Sequence, residues 1–265
     1  MHKYLELTHL MISIFNYWKF KLSFTNSSLY ISINKYIQHK HDVGVVLKLP
    51  RKTLQNAAKW FEQSTAQLHQ DIFVLSEVDF KKEGYFVEFG ATNGHDLSNT
   101  HLLETQFNWQ GIIAEPAKSW HQDLKSNRNC HIETDCVWIE TGKSLLFNAV
   151  DEGELSTLEQ FTKSDHFSKK RKQGEIYPVT TISLNDLLKK YNAPKEIDYL
   201  SVDTEGSEYE ILSHFDFNSY NIKVITVEHN YTETRAKVHK LLTQHGYVRK
   251  YQGFSKWDDW YLKIN

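Results

Sequence analysis

Apolar positions along this chain recur in two distinct rhythms. From Thr53, the residues Leu54, Ala57, Ala58 and Phe61 follow helical spacing and the segment continues into Asp71-Ile72-Phe73-Val74-Leu75, which predicts a helix leading into a core domain. From Gly84 onward, short apolar runs are separated by amphipathic stretches, the pattern of a parallel sheet covered by helices. Tyr85 to Phe89 reads as the first strand and Gly111 to Glu115 as the second, with Leu103 and Phe107 sharing a helix face between them. Cys136 to Ile139 and Ser144 to Phe147 are expected to form the third strand and its neighbour. Residues 151–177 break the alternation with a polar stretch longer than an ordinary connection, an expected lid. Beyond it come a strand over Tyr177 to Ile182, a helix begun by Ser183 and Asp186, and buried strands over Tyr199 to Val202 and Ile222 to Val227. A helix stopped by Gly246 and a hairpin of Tyr247 to Tyr251 with Trp260 to Ile264 close the chain.

This pattern divides the 265 residues into an N-terminal extension over 1–69, partly helical, and a catalytic-sized domain over 70–265. Charge adds little to the picture: 31 Lys and Arg against 33 Asp and Glu make no global case for nucleic acid or an anionic membrane. Cys130 and Cys136 are too few for a zinc site and read as reduced thiols. Neither a signal peptide nor an apolar run of the ~18 residues that a transmembrane helix needs is visible, so the default expectation is a cytoplasmic protein without stable membrane insertion. Oligomeric state stays open.

Open parallel sheets bind ligands beyond the carboxyl ends of their strands. Glu88-x-Gly90-x-x-x-Gly94 leaves the first strand with two glycines that allow a sharp turn and close approach of backbone to ligand. The spacing is not that of a dinucleotide loop, and an acid beside the loop would repel a pyrophosphate. It suits S-adenosylmethionine, which carries an ammonium and a sulfonium and no phosphate. Glu115 ends the second strand about twenty residues after Gly94, where an acid accepts hydrogen bonds from two ribose hydroxyls; serving the dipole of the helix that starts at Pro116 is the plainer role. Asp135 reads equally as an adenine contact or a surface turn.

Asp203-Thr204-Glu205-Gly206-Ser207-Glu208 follows another buried strand. Here Asp203 and Glu205 are candidate reacting groups, while Glu208 reads as a helix cap. Activation of an acceptor hydroxyl needs a base or a cation. His229 at a strand end is the leading candidate base, and Asp203, Glu228 and Asn230 offer hard oxygen ligands for a divalent cation such as magnesium. Trp257 to Tyr261 could line a sugar pocket, though Trp260 reads equally as core. The run Lys169 to Lys172 reads as a solvated loop before it reads as an anion site.

With these residues in view, the chain from about Gln70 to Lys263 resembles the FkbM family of methyltransferases. The carrying stretches are Gly84 to Ala91, Leu97 to Thr100, Trp109 to Pro116, Asp198 to Glu208, Val227 to Asn230 and Gly246-Tyr247. The resemblance implies an α/β class I methyltransferase fold: a Rossmann-like seven-stranded sheet with an antiparallel last strand and helices on both faces. It also implies methyl transfer to a hydroxyl, often on a sugar, glycan or related small molecule. Glu88, Gly90 and Glu115 would then contact the cofactor and Asp203 would lie near the reacting centre; Ala91, Gly94, Ser98, Pro116 and Asp135 complete the candidate cofactor set. Two rival readings remain: a nicotinamide-dependent oxidoreductase, disfavoured by Glu88 and the glycine spacing, and a binding protein that keeps the fold without turnover.

Overall fold

The computed structural model describes residues 44–264 apart from 46, 47, 151 and 152, so the reading of the first 43 residues lies outside the described residues. The expected entry helix is two short ones, α1 (Leu54–Ala58) and α2 (Gln70–Glu77), separated by a stretch in which His69 takes a left-handed conformation. All of α2 except its last residue is buried.

Strands β1 (Tyr85–Phe89), β2 (Gln110–Ala114) and β3 (His131–Glu133) alternate with α3 (His101–Phe107) and α4 (His121–Asn127). The third strand is therefore His131–Glu133, not Cys136 to Ile139; with only Ile132 apolar, its three residues carry almost no periodic signal. The chain then leaves the main sheet for β4 (Cys136–Trp138), β5 (Ser144–Ala149), β6 (Thr157–Leu158) and β7 (Glu175–Ser183), which form a separate sheet in the order β4-β7-β5-β6. It returns through α5 (Leu184–Lys190), whose cap forms as expected: Ser183 Oγ accepts from Asp186 N at 3.1 Å. The remaining elements are β8 (Glu196–Val202), α6 (Glu208–Ser213), β9 (Asn221–Glu228), α7 (Thr234–Gln244), β10 (Tyr247–Lys250) and β11 (Asp258–Lys263).

The main sheet has seven strands in the order β10-β11-β9-β8-β1-β2-β3. Six run in one direction, and β11 alone runs antiparallel, between β9 and β10. A parallel sheet must be covered on both faces, and strand alternation supplies two apolar surfaces. Val87, Phe89, Leu200, Val202 and Ile225 face a core completed by Leu187 of α5, Leu212 of α6 and Leu242 of α7. Phe86, Ile113, Tyr199, Val224 and Trp260 face the other, with Phe73 of α2, Leu103 of α3 and Leu124 of α4. Trp260 is wholly buried and stacks on Phe73 at 4.9 Å, which makes it core. Among the described residues no helix is long and apolar enough to cross a membrane.

Candidate functional site

Register lines up the carboxyl ends of the strands. Phe89 is opposite Ala114 on one side and Val202 on the other, Val202 is opposite Val227, and antiparallel pairing sets Asp258 against Glu228. Glu115, Gly90, Asp203, Glu228 and Asp258 consequently form a row across the sheet. A cavity of about 300 Å³ lies over that row, lined at the sheet end by Gly90, Glu115, Pro116, Asp203, Glu205, Glu228 and Asn230. Its other wall comes from the segment after β5, through Gly153 to Ser156, Leu158, His166 and Phe167.

Gly90 sits at φ +75°, and a Cβ there would collide with the carbonyl oxygen of Asp203. Only glycine lets β1 and β8 approach so closely at the cavity floor. Glu115 projects both carboxylate oxygens onto backbone donors, Oε2 accepting from Thr92 N at 3.1 Å and Oε1 from Ala117 N at 2.8 Å. Burial raises its pKa from 4.5 to about 7 despite those bonds. Each oxygen keeps a lone pair for a ligand donor.

Five expected cofactor contacts, Glu88, Ala91, Gly94, Ser98 and Asp135, do not line the cavity. Glu88 follows Phe86 onto the helix-covered face of the sheet, where Oε1 accepts from Asn99 N at 2.6 Å and Oε2 from Ser98 Oγ at 3.0 Å and Thr100 Oγ1 at 2.5 Å. Arg128, buried behind them, donates to Thr100 Oγ1, to Ser98 Oγ and to the Gly94 carbonyl. Gly94 is a glycine because a Cβ would press on Arg128 and Leu124. Ala91 is packed into the core, and Asp135 lies outside the cavity with its N–H donating to Glu133 at 3.1 Å. Sequence alone puts all of these beside the glycine loop without saying which way each side chain turns.

Asp203, Glu205 and Glu228 each offer a carboxylate oxygen within 4.8 Å of the others. Burial raises all three pKa values, helped by the charge of Asp258 at Asp203, of Asp203 at Glu205, and of Asp203 and Glu205 at Glu228. Arg171 opposes part of this charge: only 1 % exposed, it donates to Glu205 at 2.6 Å, to both oxygens of Asp165 at 2.8 and 3.0 Å, and to the Leu155 carbonyl at 2.7 Å. One member of the Lys169 to Lys172 run is thus an internal pin and not a solvated charge. Asn230 also donates to Glu205, at 3.1 Å. Glu208 accepts from Thr204 and Gly206 backbone donors at 3.1 and 2.9 Å, the expected cap.

His229 is turned away from the cavity. Its Nδ1 accepts from Tyr231 N at 2.9 Å, so the ring proton sits on Nε2, which faces Asp259 at 3.7 Å. Burial lowers its pKa to about 4. Asp259 is itself held by Arg235 at 2.8 Å and Arg249 at 3.0 Å. A neutral ring with its lone pair already engaged is no base for an acceptor in the cavity; it anchors the turn that presents Glu228 and Asn230. The base expected from sequence is thus placed outside the cavity lining. Residues that sequence reading missed include Asn99, Gln70, Tyr231 and the apolar pair Leu155 and Leu158, all on the cavity wall.

Among curated proteins none matches the chain. Among solved structures it is similar to the precorrin-6y C5,15-methyltransferase of Geobacter metallireducens GS-15, at 14% identity over 68% of this chain and 71% of that one, with a TM-score of 0.37. A protein assigned as a sarcosine dimethylglycine methyltransferase from Galdieria sulphuraria shares 10% identity over 69% and 63%, with a TM-score of 0.32. Likeness at that level carries no weight beside the sheet order itself and the family match. The family profile described as "Methyltransferase FkbM domain" matches residues 88–254, more than half of the chain. That match sets aside the oxidoreductase reading: the chain belongs to the FkbM family and is an S-adenosylmethionine-dependent methyltransferase.

Proposed function

We propose that this methyltransferase acts on a hydroxyl of a sugar, glycan or related small molecule. The observation that carries the reading is the acidic trio of half-buried Asp203 and buried Glu205 and Glu228, raised in pKa and lining the cavity beside Gly90. An alcohol becomes a competent nucleophile only as its proton leaves, and a raised pKa makes whichever member of the trio is ionised a stronger base for that proton.

The cavity fits the methyl donor on four counts: backbone exposed by Gly90, the Glu115 carboxylate for a ribose diol, an apolar slot of Val137, Phe147, Leu155 and Leu158 for a purine, and a volume within the range of small-molecule sites. When bound, the donor supplies an electrophilic methyl group on a sulfonium. Asp203 and Glu228 would orient the acceptor oxygen and take its proton, and the wall formed by Gly153 to Leu158 would exclude water. Tyr231, 63 % exposed at the rim, and Trp257 would offer faces to a sugar ring.

A divalent cation bound by Asp203, Glu205 and Glu228 is the second reading, favoured by the 4.8 Å grouping of their oxygens; it replaces the sequence-derived set in that Glu205 takes the place of Asn230. Transfer of labelled methyl to hydroxyl, amine and carboxylate acceptors, with and without chelator, tests both. Label on oxygen that survives chelator supports the carboxylate mechanism, loss restored by magnesium supports the cation, and label confined to nitrogen contradicts the hydroxyl reading.

A further inference from the structure

Asn99 stands in the corner of the cavity between Gly90 and Asp203. Its position is tightly specified: its backbone N–H donates to Glu88 Oε1 at 2.6 Å, and its side-chain Nδ2 donates to Ser201 Oγ at 2.9 Å. Ser201 Oγ also accepts from Thr226 Oγ1 at 3.4 Å. The Asn99 amide oxygen, Oδ1, is buried and has no hydrogen-bond partner. Among the described residues it is the one buried side-chain polar atom on the cavity wall in that condition. A buried acceptor without a donor is costly to keep, so an orphan on a ligand cavity points to a donor brought by the ligand.

We propose that Asn99 Oδ1 receives the α-ammonium of the methyl donor's amino-acid end, in the corner closed by Gly90 and Asp203. This rests on the reading of the cavity as the S-adenosylmethionine site. It reassigns to Asn99 the contact expected of its neighbours: Ser98 and Glu88 are bonded to each other beneath the loop and hold the amide in place, whereas Asn99 alone of the three reaches the cavity. Because the amide is fixed at both its backbone and its side chain, it is ordered before the ligand arrives, and little freedom is lost on binding. Asp203 across the corner supplies the second oxygen an ammonium needs.

The full chain is titrated calorimetrically with S-adenosylhomocysteine and with 5′-methylthioadenosine, which has the same nucleoside thioether without the amino-acid arm. The wild type is expected to prefer S-adenosylhomocysteine. Asn99→Leu, which keeps the volume and removes the acceptor, is expected to weaken S-adenosylhomocysteine by about tenfold or more while leaving methylthioadenosine within about twofold. Asn99→Asp, which restores an acceptor, is expected to recover the preference, and it also serves if the leucine variant does not fold. Equal weakening of both ligands, or no change in their ratio in either variant, would overturn the assignment. Silence of the wild type toward both ligands would instead overturn the reading of the cavity, and the assignment with it.

Discussion

Burial of Glu115 gives cofactor binding a pH dependence whose sign follows from its partners. Its folded pKa is raised from 4.5 to about 7, first by desolvation, so the free protein still holds this proton in a range where the unfolded chain has released it. Stability of the free protein therefore falls as pH rises from 4.5 to about 7, by up to about 1.4 kcal/mol per pH unit, and changes no further above that. Ribose hydroxyls donating to the carboxylate favour the ionised form. Affinity for S-adenosylhomocysteine is expected to tighten by roughly tenfold between pH 6 and 8, and Glu115→Gln to flatten the profile; titrations at both pH values check it. For the acidic trio, Glu228→Gln is expected to lower turnover by about 10²- to 10⁴-fold with S-adenosylhomocysteine affinity nearly unchanged. Glu88 behaves differently. Glu88→Ala leaves Arg128 with Glu104 at 2.6 Å but strips the acceptors from Asn99 N and Thr100 Oγ1, and chemical denaturation should report a loss of about 1–3 kcal/mol. Direction of a side chain is what the sequence hid at this scale. Alternation along β1 puts Glu88 with Phe86, on the face covered by α2, α3 and α4, and that signal was available in the strand pattern itself.

Elements with long apolar runs were legible, and short ones were not. β1, β8 and β9 follow the expected segments closely because each is buried on both faces and reads as a continuous apolar stretch. β3 escaped notice because three residues with one apolar side chain have no period to detect, and its place was given to Cys136, which belongs to the second sheet. That second sheet depends on pairing between β5 and β7 across the whole insertion, a non-local contact that no local pattern carries. The insertion is tied to the reactive end through few points: Arg171 on Glu205, and Thr157 Oγ1 donating to the Glu205 carbonyl at 3.0 Å. Arg171→Ala strands Asp165 and Glu205 as buried unpaired acids, at a cost of about 3–5 kcal/mol. Faster hydrogen exchange and proteolysis confined to residues 153–173, with the seven-stranded sheet still protected, is the expected outcome.

At the scale of the molecule, one row of strand ends accounts for the chemistry. Four adjacent parallel strands in register deliver Glu115, Gly90, Asp203 and Glu228 side by side, the antiparallel β11 adds Asp258 opposite Glu228, and the insertion roofs the cavity. A seven-stranded sheet with one reversed strand was implied by family resemblance and the polar stretch over 151–177 read as a lid, whereas the second sheet and the Arg171 pin were not legible, since they arise from contacts between segments far apart in sequence. The central claim is that this cavity binds the methyl donor with Glu115 on its ribose. Calorimetric titration of S-adenosylmethionine into the wild type and Glu115→Ala tests it most directly. The account predicts a saturable one-to-one heat for the wild type and weakening by about tenfold or more in the variant; no heat with the wild type, or equal affinity in a folded Glu115→Ala, would contradict it.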